Sequence, residues 1–333
     1  MKPVIFGLSG PALTADERAF FTESVPCGFI LFRRNVETRS QLRALTDSLR
    51  ALTGRDDLPI LIDQEGGRVA RMGPPEWPAF PAGPAFDALY EIAPMSAIEA
   101  ARVNAHAIAL MLHEVGINVD CLPLLDVAQP DTTEAISSRA YGREPRRVAA
   151  MGRAVIEGLR RGGVVGVVKH MPGHGRAAVD SHHLLPTVTA SEGELETDLA
   201  PFAALRDAPM GMTSHIVFEA WDPLRPATLS PVIVGDIIRG RIGFDGLLMT
   251  DDIDMKALSG AAGEKAVGAL AAGCDLVLDC WARMDEMVDI AARIGEMPPA
   301  SVARLDRAMA SVASPEGDVD DLIAKRDALL ALA

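Results

Sequence analysis

The chain has 333 residues, 49% of them hydrophobic, with a formal net charge of −14 and a pI near 5.0. That length allows a large core and either one big domain or two ordinary ones. The acidic balance argues against nucleic acid and anionic membrane as partners, and no apolar run approaches the ~20 residues that a membrane span requires.

The N-terminus, Met1-Lys-Pro-Val-Ile-Phe-Gly-Leu, carries a short apolar run and then acidic, helix-like sequence at Asp16 and Glu17, which is too short for a signal peptide. Cys27, Cys121, Cys274 and Cys280 form no CxxC pair, and all but Cys280 sit in or beside apolar runs. They read as reduced thiols of a cytoplasmic protein.

Eight short apolar runs read as strands: Val4–Leu8, Gly28–Phe32, Pro59–Asp63, Ile117–Leu122, Val164–Lys169, Met210–Ser214, Gly246–Thr250 and Asp275–Leu278. Most are continuous rather than alternating, as expected of strands buried on both faces. Helical patterns separate them. Leu42, Leu45, Leu49 and Leu52 recur at helical spacing, and Ile98 to Leu112 is Ala-rich. Ser191 and Glu194 fit a capping box, and Ser230-Pro231 a cap followed by a first-turn proline. The Pro-rich stretch 73–84 is a long loop, and 298–333 reads as one or two closing helices. Unbroken strand–helix alternation predicts a single-domain (β/α)₈ TIM barrel over 1–333. An open doubly wound sheet is the alternative, but the Gly-rich dinucleotide fingerprint is missing.

Polar residues gather where the apolar runs end. Asp63-Gln-Glu-Gly-Gly-Arg68 follows the third run, Lys169-His170 the fifth, Ser214-His215 the sixth and Asp251-Asp252 the seventh. In a barrel these ends converge on the face that carries the active site. Lys169-His-Met-Pro-Gly-His-Gly175 and Asp180-Ser-His-His183 are the densest of these clusters. Pro172, Gly173 and Gly175 exclude a regular helix there, and Asp180 is spaced to orient His182 as a proton donor.

Each candidate has a bland reading. Asp251 and Asp252 also fit a helix N-cap. His170 and His174 could ligate a metal with Asp63 or Asp251, but they lack the helix that presents such pairs, and Lys169 brings a competing charge. Arg68, Arg71 and Arg139 are ordinary surface cations taken singly. Trp77 is either a sugar platform or a packing anchor in its loop.

Taken together, these motifs resemble those of the family 3 glycoside hydrolases, most closely the short β-N-acetylglucosaminidase branch. The resemblance spans nearly the whole chain. It rests on Gly28–Phe32 with Asn35, 63–69, Gly116-Ile-Asn118 with Asp126-Val127, Lys169-His170 with Pro172-Gly-His-Gly175, Asp180-Ser-His182 with Leu185-Pro186, Ser214-His215, and Gly243–Gly246 leading to Asp251-Asp252. It implies a TIM barrel and a retaining mechanism through a covalent glycosyl-enzyme, with Asp251 as nucleophile, His182 as acid/base and Asp180 as its partner. It further implies sugar contacts from Asp63, Arg71, Arg139, Lys169 and His170. No metal or cofactor is expected. The implied substrate is terminal β-linked N-acetylglucosamine on peptidoglycan-derived anhydromuropeptides. Longer relatives take their acid/base from a second domain, for which this chain is too short. Met171, Thr250 and Ile253 depart mildly from the family pattern, and Arg176-Ala-Ala-Val179 departs more. A phosphorylase on the same site, a β-glucosidase, a metal-dependent hydrolase using the histidines, and a non-catalytic sugar-binding protein are the competing readings.

Overall fold

The protein's structure, a computed structural model, describes residues 1–181 and 184–333. Eight parallel strands close into a barrel: β1 (Lys2–Gly7), β2 (Pro26–Leu31), β3 (Ile60–Ile62), β4 (Val119–Asp120), β5 (Val165–Met171), β6 (Met210–Thr213), β7 (Leu247–Asp252) and β8 (Leu276–Asp279). Each pairs with its sequence neighbours, and β1 pairs with β8 to close the ring. The architecture is the expected (β/α)₈ barrel rather than the open sheet.

Side-chain alternation explains the continuous apolar runs. Ile5, Ile30, Leu61, Val165, Val167, Met249 and Leu278 fill the barrel interior. Val4, Phe6, Phe29, Ile60, Ile62, Val168 and Val277 point outward into the layer beneath the helices. Both faces are thus dry, so each position takes an apolar residue.

The helices form where the sequence places caps. Arg39–Thr53 starts at Thr38, whose hydroxyl accepts from the Gln41 N–H. Leu42, Leu45 and Leu49 turn one face to the core, each worth roughly 1.5–3 kcal/mol of burial. The helix stops at Gly54, whose φ of 66° a side chain would disfavour. The Ala-rich helix runs Pro94–Glu114, and Ser191 and Glu194 form the anticipated capping box at the head of Glu192–Ala204. Ser230 Oγ accepts from the Ile233 N–H, capping a helical segment, Ile233–Ile242, that is π-type rather than α.

Two helices lie in the C-terminal stretch, Pro299–Met309 and Val319–Leu330. Pro299–Met309 plugs the N-terminal end of the barrel: Leu305 and Ala308 join the interior cluster, and Ser301 and Arg304 bond Asp275. Val319–Leu330 lies on Pro94–Glu114, where Arg326 donates to the Asn104 side chain. All four cysteines are free and buried, Cys280 included. No helix is long and apolar enough to cross a membrane among the described residues.

Candidate active site

Parallel strands bring all their C-terminal ends to one mouth. A cavity of about 810 Å³ opens there, and its lining includes Asp63, Arg71, Arg139, Lys169, His170 and Asp251. Six of the eight sequence-predicted site residues therefore share one pocket. Asp180 is half-buried on the loop after β5. His182 and His183 lie outside the described residues.

The pocket's first wall is a charge network from β3, β5 and the loop after β4. The Lys169 ammonium lies 3.2 Å from Asp63 Oδ1 and 2.7 Å from Glu65 Oε1. Arg71 Nη2 donates to Asp63 Oδ2 at 2.9 Å. Arg139 forks onto Glu65, with Nε and Nη2 at 2.7 and 2.5 Å from its two oxygens. Burial alone would raise both carboxyl pKa values, but Lys169 with Arg71, and Arg139 with Lys169, outweigh it and hold Asp63 and Glu65 below the usual range. Conversely, burial would strip the proton from Lys169, and the two acids hold it on. The pocket thus presents fixed charges to a neutral ligand, a geometry that suits pairs of sugar hydroxyls.

Glu65 belongs to the 63–69 motif, where nothing in the sequence assigns it a role. It sits in the short strand Gln64–Gly66, which pairs antiparallel with Val69–Ala70 and ends at Gly66, where φ is 97° and a Cβ would come within 2.3 Å of the Pro81 carbonyl. That strand seats Glu65 between two cations, where it holds Arg139 and Lys169.

Asp126, likewise unassigned from sequence, organises the loop after β5. Its Oδ2 lies 2.8 Å from His170 Nδ1, and Oδ1 accepts the backbone N–H groups of His170 and His174 at 3.2 and 2.7 Å. Burial opposes the charge on Asp126, but these histidine contacts win and lower its pKa to about 2. The carboxylate fixes Nδ1 as the protonated nitrogen of His170. His174 is buried, which, with His170 beside it, depresses its pKa to about 4, and its Nε2 lies 3.2 Å from Ser181 Oγ. Asp126 thus holds His170 at the pocket through Nδ1, while His174 bonds Ser181 within the loop. No group of three or more His, Cys, Asp or Glu is arranged to hold a metal among the described residues.

The loop is further pinned by packing. A Cβ at Gly175 would sit 1.9 Å from the Val127 carbonyl oxygen, so only glycine allows that approach. Thr132 Oγ1 donates to the Gly175 carbonyl at 2.5 Å, and Arg176 pairs with buried Asp198 at 2.6 Å. The atypical Arg176 is therefore an anchor at the loop's base.

The second wall comes from β7 and β8. β7 continues through Asp252, and the next helix begins only at Ala262, so Asp251 and Asp252 are strand residues and the N-cap reading fails. The Asp252 N–H donates to Asp251 Oδ1 at 2.8 Å. His215 Nε2 lies 2.9 Å from the Asp252 carbonyl oxygen, which can only accept, so this nitrogen carries the proton. Burial and the neighbouring Asp251 push Asp252 up to about 7. Its carboxylate accepts from the Cys280 and Asp254 N–H groups and from the Trp281 indole. Trp77, in contrast, is 2% exposed with Arg39 over its ring, a packing anchor rather than a sugar platform.

A closed parallel barrel with carboxylates and paired cations converging at its mouth suits a carbohydrate-cleaving enzyme, and the similarities that follow make the chain a glycoside hydrolase. The Glycosyl hydrolase family 3 N terminal domain matches residues 8–314, and the chain belongs to that family. It is 40% identical over 313 residues to a beta-hexosaminidase of Chromobacterium violaceum, covering 92% of this chain and 86% of that protein. It is 36% identical to a beta-hexosaminidase of Bordetella avium, covering 95% and 90%. The crystal structure of NagZ from Neisseria gonorrhoeae in complex with N-trifluoroacetyl-D-glucosamine superposes with a TM-score of 0.87 at 31% identity, covering 100% of this chain and 98% of that one.

Proposed function

We propose that the protein is a retaining exo-β-N-acetylglucosaminidase that removes terminal N-acetylglucosamine from peptidoglycan-derived fragments in the cytoplasm, the whole chain acting as one catalytic unit. The observation that carries this reading is the placement of Asp251 in the same cavity as the Asp63–Lys169–Arg71 and Glu65–Arg139 pairs. The beta-hexosaminidase names of the Chromobacterium and Bordetella relatives, and the N-trifluoroacetyl-D-glucosamine bound in the Neisseria structure, support the sugar assigned.

Asp251 would attack the anomeric carbon as the glycosidic C–O bond breaks, giving a covalent glycosyl-enzyme through an oxocarbenium-like state. The leaving oxygen takes a proton from His182, oriented by Asp180. Water then attacks the anomeric carbon, returns a proton to His182 and releases Asp251, so the β configuration is kept. A histidine, with an ordinary pKa near ~6.5, can be acid in one step and base in the next. Asp63, Arg71, Arg139, Lys169 and His170 would hold the ring hydroxyls. Asp63 holds Arg71 and Lys169, Glu65 holds Arg139 and Asp126 holds His170, so little reorganisation accompanies binding.

A 5-fluoro N-acetylglucosaminyl fluoride, which slows release of the intermediate, tests the reading by mass spectrometry. We expect an adduct on the peptide containing Asp251 and, by NMR, the β anomer as first product. An α anomer first, an adduct elsewhere, or sugar 1-phosphate formed in phosphate buffer would each overturn the assignment.

A further inference from the structure

We propose that Trp281 is the platform for the leaving group, and that it selects aglycones bearing a ring with an apolar face, a pyranose or an aromatic. The inference rests on the functional reading above.

Three observations carry it. First, Trp281 is 58% exposed and yet lines the same cavity as Asp251. A large aromatic left in solvent at the mouth of a site offers its face to a ligand. Second, the ring is not loose. Its indole N–H donates to Asp252 Oδ2 at 3.0 Å, beside the proposed nucleophile, so one edge is tethered while a face stays open. The next residue, Ala282, has φ 57°, an uncommon conformation for a residue with a side chain, and it turns the chain back just after the indole. Third, the position in the barrel separates it from the hydroxyl-binding wall. Asp63 and Lys169 come from β3 and β5, whereas Trp281 follows β8, separated from them by β6 and β7 on one side and β1 and β2 on the other. A sugar whose hydroxyls are held by Asp63 and Lys169 therefore leaves the β8 side of the mouth, where Trp281 stands, open to the group it carries.

Pyranose rings stack on indole through their axial C–H faces, and aromatic rings through offset or edge contacts. Neither needs a charge, so the platform reads ring shape rather than ionisation. The test compares two N-acetyl-β-glucosaminides whose leaving groups both need protonation: the methyl glycoside, with no ring to stack, and the β-1,4-linked disaccharide of N-acetylglucosamine.

In Trp281→Ala we expect kcat/KM for the disaccharide to fall about 10-fold, with the methyl glycoside within about twofold of the starting protein. Trp281→Phe, which keeps a ring but loses the N–H, should retain most of the disaccharide activity. Disaccharide binding to the unsubstituted protein should also shield tryptophan fluorescence from acrylamide, an effect absent in Trp281→Phe. Equal losses on both glycosides would mean that Trp281 acts through Asp252 on the sugar common to both, and would overturn the proposal. An unchanged disaccharide rate in Trp281→Ala would overturn it as well. The two levels of failure separate. A starting protein that cleaves neither glycoside removes the functional reading and the platform with it, whereas one that cleaves both with Trp281→Ala unaffected removes only the platform.

Discussion

Two walls of one pocket handle buried acid in opposite ways. On the wall from β3 and β5, Asp63 and Glu65 are matched by Arg71, Lys169 and Arg139, and their pKa values fall below the usual range. On the side of β7 and β8, Asp252 in the pocket and Asp279 buried behind it have no ion pair among the described residues, and burial together with their acidic neighbours pushes each up to about 7. On the first wall two acids are held by three cations, an arrangement suited to gripping hydroxyls the same way in ground and transition states. In the mechanism proposed above, Asp251 would put a negative charge beside the anomeric carbon, where an oxocarbenium-like state develops positive charge. Binding and bond-breaking would then be served by different electrostatics, a few strands apart.

The largest effect should come from the second wall. Asp251→Ala is expected to lower kcat by roughly 10³-fold or more while leaving the melting temperature nearly unchanged. Azide should restore part of the activity and yield an α-glycosyl azide, because the small anion replaces the missing oxygen from the same face. Substantial residual turnover without azide would show that the nucleophile lies elsewhere.

The next effect probes the first wall. Lys169→Ala leaves Asp63 and Glu65 facing each other without their shared cation. Breaking a buried pair from one side costs roughly 3–5 kcal/mol, so thermal unfolding should occur well below that of the unsubstituted chain and KM should rise. Lys169→Ala that melts normally would mean the network is solvated and not a rigid clamp.

Asp126→Asn tests the loop that joins the walls. In the native chain the folded pKa of about 2 lies below the unfolded value of ~3.9. That difference contributes stability which is fully present above pH ~4 and is lost as pH falls toward 2. The amide cannot charge, so the variant should be less stable at pH 6 by about 1–3 kcal/mol and show a shallower acid slope. Parallel stability curves for the two proteins between pH 2 and 5 would contradict the role given to Asp126.

The sequence discloses the barrel because both faces of each strand are dry, which writes a continuous apolar run at every strand. It discloses Asp63, Lys169, His170 and Asp251 because each stands where such a run ends. It hides the supporting residues. Glu65 and Asp126 act through contacts 74 and 44 residues away in the chain, with Arg139 and with His170. Only closure of the ring brings those partners together. Trp281 is hidden for a different reason: a single aromatic after a short strand is indistinguishable from a packing residue such as Trp77 until its exposure is known. The N-cap reading of Asp251-Asp252 fails because β7 runs two residues past the apolar stretch, its backbone being held by β8 through Leu278 and by the Asp252 contacts with Cys280 and Trp281.

The smallest effect is the one whose sign best separates the walls. Asp279 is completely buried, and neither of its carboxylate oxygens meets a hydrogen-bond donor among the described residues. Its pKa is raised to about 7 by burial and then by Asp252 and Glu286, against weaker pulls from Lys265 and Arg34. The folded value therefore lies above the unfolded ~3.9. The unfolded chain gives up this proton first, so stability declines as pH rises from about 4 through about 7, the reverse of Asp126. Asp279→Asn removes the charge while nearly conserving volume, and should be close to neutral at pH 5. At pH 8.5 it should raise the melting temperature by about 2 °C, the shift that a gain near ~1 kcal/mol gives a chain of this size. The matched first wall predicts the contrary for Asp63→Asn, which loses its ion pairs and should destabilise at both pH values. A melting shift for Asp279→Asn that is the same at pH 5 and 8.5 would mean the carboxylate is already ionised and compensated in the fold, and the contrast between the walls would disappear.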